Sequence, residues 1–296
     1  MVGVLALTAA ACGDDDDDAA TTEGTAESTD EGTANESGGS VTIGYIPWDE
    51  DIAVTYLWQH VLEENGFDVT LEQLDVAPTF VGVAEGDLDL FFDTWLPITH
   101  EDYWTQYGDQ VEDLGVWYDN AKLTIAVPEY VDATTIADLA GMEDTFGSEI
   151  VGIEAGAGLT RVTRDEAMPA YGLDGYELTT SSTTAMLAAL KEATEAEEPI
   201  VVTLWRPHWA YAAFPIRDLE DPEGAMGAAE EIHTIARKGF SEEFPDLAEA
   251  ISAFEMDDDQ LGSLEAAIFQ DNPDDPAAGV AAWAAENQEF VDSLLG

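Results

Sequence analysis

A chain of 296 residues with 46% hydrophobic and 9% aromatic content is long enough for one large domain or two medium ones with full cores. Its 64 acidic residues against 8 basic ones leave a formal net charge of -56, a balance that argues against nucleic acid, anionic lipid and polyanionic substrates as partners. Self-repulsion on this scale calls for screening, and the Debye length shrinks from about 10 Å at 0.1 M salt to about 3 Å at 1 M, so a high-salt habitat is expected.

The chain opens MVGVLALTAAACG, an apolar run with small residues before Cys12, its one cysteine, and continues into an acidic run at 14–18. This resembles the end of a bacterial lipoprotein signal, in which such a cysteine is lipidated. Residues 1–12 are therefore expected to be a signal segment, with Cys12 anchoring the chain to the outer face of the cell membrane. A lone cysteine excludes a disulfide within the chain and a Cys-based zinc site. Residues 13–40 hold no Val, Ile, Leu or aromatic residue and are expected to form a disordered acidic linker, with the folded body starting near Val41. No other segment approaches the roughly 18 apolar residues of a membrane span.

From Val41 strand-like and helix-like patterns alternate. VTIGYI precedes a helix whose apolar positions Val54, Leu57, Trp58, Val61 and Leu62 recur at helical spacing; DVTLEQL, a short helix ending at EGD, and LDLFFDTW follow. This βαβαβ order predicts a parallel sheet covered by helices. KLTIAVP, residues 122–128, is a further strand, and 134–139 a short capped helix. A second cycle runs through EIVGIE, the turn AGAG, a helix over 159–171, YELTTS, a helix over 183–196 and IVVTLW. After RDLEDPEG come EIHTIARKGF and helical segments near 244–254, 261–270 and 277–294. Chain crossings near 128–131 and near Pro215 predict an α/β protein of two lobes, residues 41–130 with 217–296 and residues 131–216, with the ligand cleft between them.

Three of the eight tryptophans, Trp48, Trp95 and Trp205, stand at the ends of strand-like runs, whereas Trp58, Trp104, Trp117, Trp209 and Trp283 lie in helix-like or turn-like stretches. In open α/β sheets ligands bind beyond the carboxyl ends of the strands, so the three indoles are placed to form a cage across the cleft. Indole faces attract a cation that donates no hydrogen bond, which makes a quaternary ammonium solute the first candidate. A zwitterion's carboxylate would be met by backbone N–H groups at the GIEAGAG turn, flanked by Gly152 and Ile153, and by the ring of His100. His208 and Trp209 extend the last cage segment and are expected behind it. Asp49, Glu50 and Asp51 are expected to cap the helix that follows Trp48, and Arg161, Arg164 and Arg206 to pair with surface acids.

WDEDIA, DTWLPITH, GIEAGAG, the T-x-W-x-PHW segment and EEIHTIARKGF together resemble the glycine betaine-binding proteins of ABC-type osmoprotectant importers, over 41 to about 254. The resemblance implies a type II periplasmic-binding-protein-like fold and a tryptophan box around a trimethylammonium group, carried over to Trp48, Trp95 and Trp205. It implies carboxylate contacts at Gly152, Ile153 and His100. It also implies an ABC permease as partner; no cofactor, metal or catalytic residue is expected, and the receptor is expected to be a monomer. Two other classes stay open: an extracellular enzyme acting on glycosides, with paired acids and aromatic platforms, and a receptor for another small polar solute.

Overall fold

The structure, a computed structural model, describes residues 38–295; Cys12 and nearly all of the expected linker lie outside them. The first strand, β1 (Gly39–Tyr45), starts two residues before the expected onset of the body, with Gly39 paired to Phe67. It runs parallel to β2 (Phe67–Gln73) and, on its other edge, to β3 (Leu90–Leu96). Helices α1 (Asp49–Glu64) and α2 (Val76–Glu85) connect them, the βαβαβ order predicted by the alternation. α1 buries Ala53, Val54, Leu57, Trp58, Val61 and Leu62, one continuous face at helical spacing. The chain turns out of it at Gly66, whose φ of 84° a residue with a side chain rarely adopts.

After α3 (Glu101–Tyr107) the chain enters β4 (Val111–Pro128), an 18-residue strand of which the sequence pattern predicts only the last seven. Trp117 consequently lies on a strand and not in a turn. Its ring stacks on Phe254, which meets Trp58 edge-on, while Trp58 stacks on Phe92, so both tryptophans belong to the core. β5 (Glu149–Val151) leads to α4 (Gly158–Val162), a π turn at Thr163–Ala167 and α5 (Met168–Ala170), so the helix expected over 159–171 is present but locally widened. β6 (Glu177–Thr179) and α6 (Thr183–Ala196) follow, the helix starting where Ser182 Oγ accepts the Ala185 N–H.

β7 (Val202–Arg206), α7 (Ala210–Ala213), β8 (Ile216–Asp218) and β9 (Glu230–Arg237) complete the strands. The C-terminal helices are α8 (Phe240–Glu243), α9 (Pro245–Ser252), α10 (Asp258–Phe269), α11 (Pro276–Glu286) and α12 (Gln288–Ser293). The segment expected over 277–294 breaks at Asn287, whose backbone and side-chain N–H groups both donate to the Trp283 carbonyl. No described helix is long and apolar enough to cross a membrane.

The strands form one curled sheet in the order β2-β1-β3-β9-β4-β7-β5-β6, with β8 pairing β4. Parallel trios sit at its two ends, β2-β1-β3 and β7-β5-β6. Between them β9 is antiparallel to both β3 and β4, and β4 is antiparallel to β7, so the expectation of a parallel sheet is corrected in the middle. Crossover helices impose parallel pairing within each trio, but β9 returns from a distant part of the chain, and apolar periodicity carries no signal for strand direction. β4 pairs with β9 as far as Ala121 and with β7 from Lys122, while β8 still pairs with β4 at 126–128. By strand pairing, then, the chain passes between the halves in mid-β4 and again between β8 and β9, earlier and later than the expected crossings near 128–131 and Pro215.

Candidate functional site

Trp48 is the residue before α1, and Trp95 and Trp205 are the next-to-last residues of β3 and β7. These positions, at the C-terminal ends of three strands, send all three rings into a narrow cavity lined also by Glu50, Thr99, Leu123, Ile153 and Leu159. All three are buried, and the Trp48 and Trp205 rings lie 6.4 Å apart with planes 49° to one another. Trp48 is backed by a stacked His100 at 5.7 Å and Trp205 by an edge-on His208 at 4.6 Å. Leu204 and Arg206, the neighbours of Trp205, do not line the cavity: Leu204 is core, and Arg206 Nε donates to Asp218 at 2.5 Å with its guanidinium over the Tyr211 ring.

Every cage indole has its N–H tied to a carboxylate. Trp95 donates to Asp93 Oδ1 at 2.8 Å on its own strand. Trp205 donates to Glu50 Oε2 at 2.7 Å and Trp48 to Glu154 Oε2 at 3.3 Å, so each crosses to an acid of the opposite half of the sheet. Behind them Trp209 donates to Asp49, another crossing contact. With the N–H groups taken, the indoles offer a ligand only their π faces. Glu154 is fixed in turn by the Thr183 N–H at 2.8 Å and the Thr183 hydroxyl at 3.0 Å, at the start of α6.

These pairings correct the expectation that Asp49, Glu50 and Asp51 cap α1. Their partners are Trp209, Trp205 and, for Asp51, the Ile46 N–H at 2.7 Å and the Thr55 hydroxyl at 3.1 Å; all three carboxyl groups are buried. Asp51 thereby pins the turn that presents Trp48. Burial drives the carboxyl pKa values upward across this group. Asp49 and Asp93 are pushed up to about 7, and Glu50, Asp51 and Glu265 well above the carboxylate range, with neighbouring acids adding to the shift for Asp49, Glu50, Asp51 and Glu265. Burial acts oppositely on His100 and His208, lowering each to about 3, so both rings are neutral.

The expected carboxylate contacts are placed unequally. His100 Nδ1 accepts the backbone N–H of Trp95 at 3.0 Å, which puts the ring proton on Nε2; that atom is buried without a hydrogen-bond partner among the described residues. Ile153 lines the cavity. Gly152 does not: its N–H donates to the Thr179 carbonyl at 2.8 Å, extending the β5-β6 ladder, and is not free for a ligand in this arrangement. Of the arginines, Arg161 lies 3.7 Å from Asp102, Arg164 2.9 Å from Asp165 and Arg206 2.5 Å from Asp218, the surface pairs expected of them.

Two further residues hold the site together. Glu230, at the start of β9, accepts the Ile98 and Thr99 N–H groups at 2.7 and 2.8 Å and the Thr99 hydroxyl at 2.5 Å, fixing the turn between Trp95 and His100. Gly158 lets α4 approach that turn: a Cβ there would stand 2.1 Å from the Thr99 carbonyl oxygen. The sequence does signal one of the missed acids, since Asp93 is the one charged residue in the strand LFFDTWL; Glu50, Glu154 and Glu230 sit in acidic or loop-like contexts that give none.

The sequence profile of a family described as the substrate binding domain of ABC-type glycine betaine transport system, OpuAC, matches residues 39–286. The glycine betaine/carnitine transport binding protein GbuC of Listeria monocytogenes is 37% identical over 163 residues, which is 53% of this chain and 53% of that protein, so the match spans about half the length of that relative. Among solved structures, lactococcal OpuAC in its closed-liganded conformation complexed with glycine betaine is 32% identical with a TM-score of 0.81, over 87% of this chain and 100% of the other. The glycine betaine/L-proline-binding protein ProX of Borrelia burgdorferi is 31% identical with a TM-score of 0.81, over 87% and 97%. With these likenesses the curled sheet is that of a two-lobed, type II periplasmic-binding-protein fold.

Proposed function

The chain belongs to the family of substrate-binding domains of ABC-type glycine betaine transport systems, and from that premise we propose that it captures glycine betaine, or a related quaternary ammonium zwitterion, outside the cytoplasm and hands it to the permease of an ABC importer. One observation carries the proposal: around the cavity the indole N–H groups are consumed while one buried ring N–H is left over. At the cage the indole donors are consumed by carboxylates, so the indoles present only their electron-rich faces. Behind Trp48 a buried His100 Nε2–H has no acceptor among the described residues. A cation with nothing to donate suits the first, and an anion suits the second. Each indole face contributes about 0.5–2 kcal/mol to holding a cation, depending on desolvation. In this assignment the ligand carboxylate accepts from His100 Nε2 and the Ile153 N–H, with Gly152 serving the ladder beside them.

Closure follows from the same contacts. We assign the lobes as residues 39–121 with 230–295 and residues 122–220. Trp48 to Glu154, Trp205 to Glu50 and Arg161 to the Ile98 carbonyl at 2.7 Å then span the cleft. A ligand bound by both lobes favours the closed state by its differential affinity. Cys12 lipidation, a tether through the acidic segment, a monomeric receptor and a high-salt habitat complete the proposal, the last motivated by the net charge of -56. A melting temperature that rises with NaCl supports the high-salt habitat; full stability at low salt counts against it. A sugar fits poorly, because only two polar side chains line the cavity, Thr99, whose hydroxyl is engaged by Glu230, and Glu50, which already holds the Trp205 indole N–H.

Titration calorimetry at high salt with glycine betaine, proline betaine, carnitine, choline and ectoine tests the function. Saturable binding of one quaternary amine per chain is expected. No heat with any quaternary amine, or turnover of a glycoside in its place, overturns it.

A further inference from the structure

Behind the three indoles lies a feature that box geometry alone does not require. Glu50 lines the cavity with its carboxyl group fully buried; Oε2 accepts the Trp205 N–H, and Oε1 has no hydrogen-bond partner among the described residues. Asp93 repeats the pattern beneath Trp95, with Oδ1 engaged and Oδ2 unpartnered. A group that only fixed an indole would be served as well by a neutral acceptor such as Gln or Asn, without the cost of burying an acid.

We propose that Glu50 and Asp93 are specificity-determining residues that supply the counter-charge of the cage, so that the site selects a cationic trimethyl head over an uncharged head of the same shape. The proposal rests on the glycine betaine reading of the cavity. A quaternary ammonium group donates no hydrogen bond, yet it is attracted to an unpartnered carboxylate oxygen across a desolvated site, and a carboxylate holding an indole N–H enriches the ring that faces the cation.

A consequence concerns protons. The charged groups acting on Glu50 are Asp93 on β3, Glu265 on α10 and Asp49 on α1, all acids. Asp51 couples to Asp93, and Glu154 acts on Asp49. His208 Nε2 approaches Asp49 at 3.3 Å but is neutral, as is His100. Mutual repulsion and burial favour the protonated form in the empty cavity, and an arriving cation favours the ionised form. Binding therefore lowers the carboxyl pKa values and releases a proton, and affinity rises with pH through the region near 7 where Asp49 and Asp93 titrate.

The test compares glycine betaine with 3,3-dimethylbutanoate, which replaces the ammonium nitrogen by carbon, on the wild type, Glu50→Gln and Asp93→Asn. Both substitutions keep an acceptor for the indole. Calorimetry in buffers of different ionisation enthalpy counts released protons from pH 5.5 to 8.5. For the wild type, proton release with betaine and an affinity rising about tenfold or more over that span are expected. Each variant should lose about tenfold in betaine affinity and flatten the pH profile while holding 3,3-dimethylbutanoate as the wild type does. A wild type that binds betaine with a flat profile and no proton release overturns the proposal without any variant, as does Glu50→Gln binding betaine as tightly as the wild type. Absence of betaine binding to the wild type overturns instead the reading of the cavity on which it rests.

Discussion

The two ends of the cavity are built from different materials. At one end three indoles arrive from three strand ends, and their N–H groups are held by carboxylates, two of them contributed by the opposite half of the molecule. The other end has the backbone of Ile153, with the His100 ring N–H, unpartnered among the described residues, behind Trp48. Side chains thus make the first end, so it can be dismantled one residue at a time. Backbone makes much of the second, where the fold itself positions the donor and a substitution acts only through sterics. Choline, which carries the trimethylammonium head and no carboxylate, separates the two ends by experiment.

Four substitutions sharpen that contrast, in decreasing order of expected effect. Trp205→Ala removes a cage wall and leaves Glu50 without its donor; binding of glycine betaine and of choline should both weaken by about 3 kcal/mol, read by calorimetry. His100→Ala removes the unpartnered Nε2–H and should cost about 2 kcal/mol for glycine betaine, with a markedly smaller loss for choline; equal losses would show that the ring only backs Trp48. Gly158→Ala forces a Cβ against the Thr99 carbonyl and should weaken both ligands by about 1–2 kcal/mol through impaired closure, visible as a smaller compaction in small-angle scattering on adding ligand. Gly152→Ala meets the far end of the Leu178 side chain at 2.9 Å, a contact that a rotamer change relieves, so its effect on affinity should stay under about 0.5 kcal/mol. A large loss from this last change would restore the Gly152 backbone to the site.

The same contrast explains what the sequence disclosed. Trp48, Trp95 and Trp205 were legible because strand periodicity and strand ends are local properties, and a large aromatic at such an end points toward the cleft of an open α/β sheet. Their partners were not. Glu50 and Trp205 are 155 residues apart and Trp48 and Glu154 are 106, so the pairs exist only once the sheet has curled. Among so many acids, the few that become buried resemble those that stay on the surface, which is why Asp49, Glu50 and Asp51 read as helix caps. Gly152 failed as a free donor for a related reason: whether a backbone N–H is available depends on whether a neighbouring strand takes it, and the β5-β6 pairing is a fact of tertiary structure. Strand order was hidden likewise, since β9 enters the middle of the sheet from a distant part of the chain.

The most direct test of the central claim is a crystal structure of the chain with glycine betaine at high salt. The account predicts the trimethylammonium group among Trp48, Trp95 and Trp205, facing Glu50, with the carboxylate accepting from His100 Nε2 and the Ile153 N–H. Betaine bound in the reverse orientation, or outside this cavity, would contradict it.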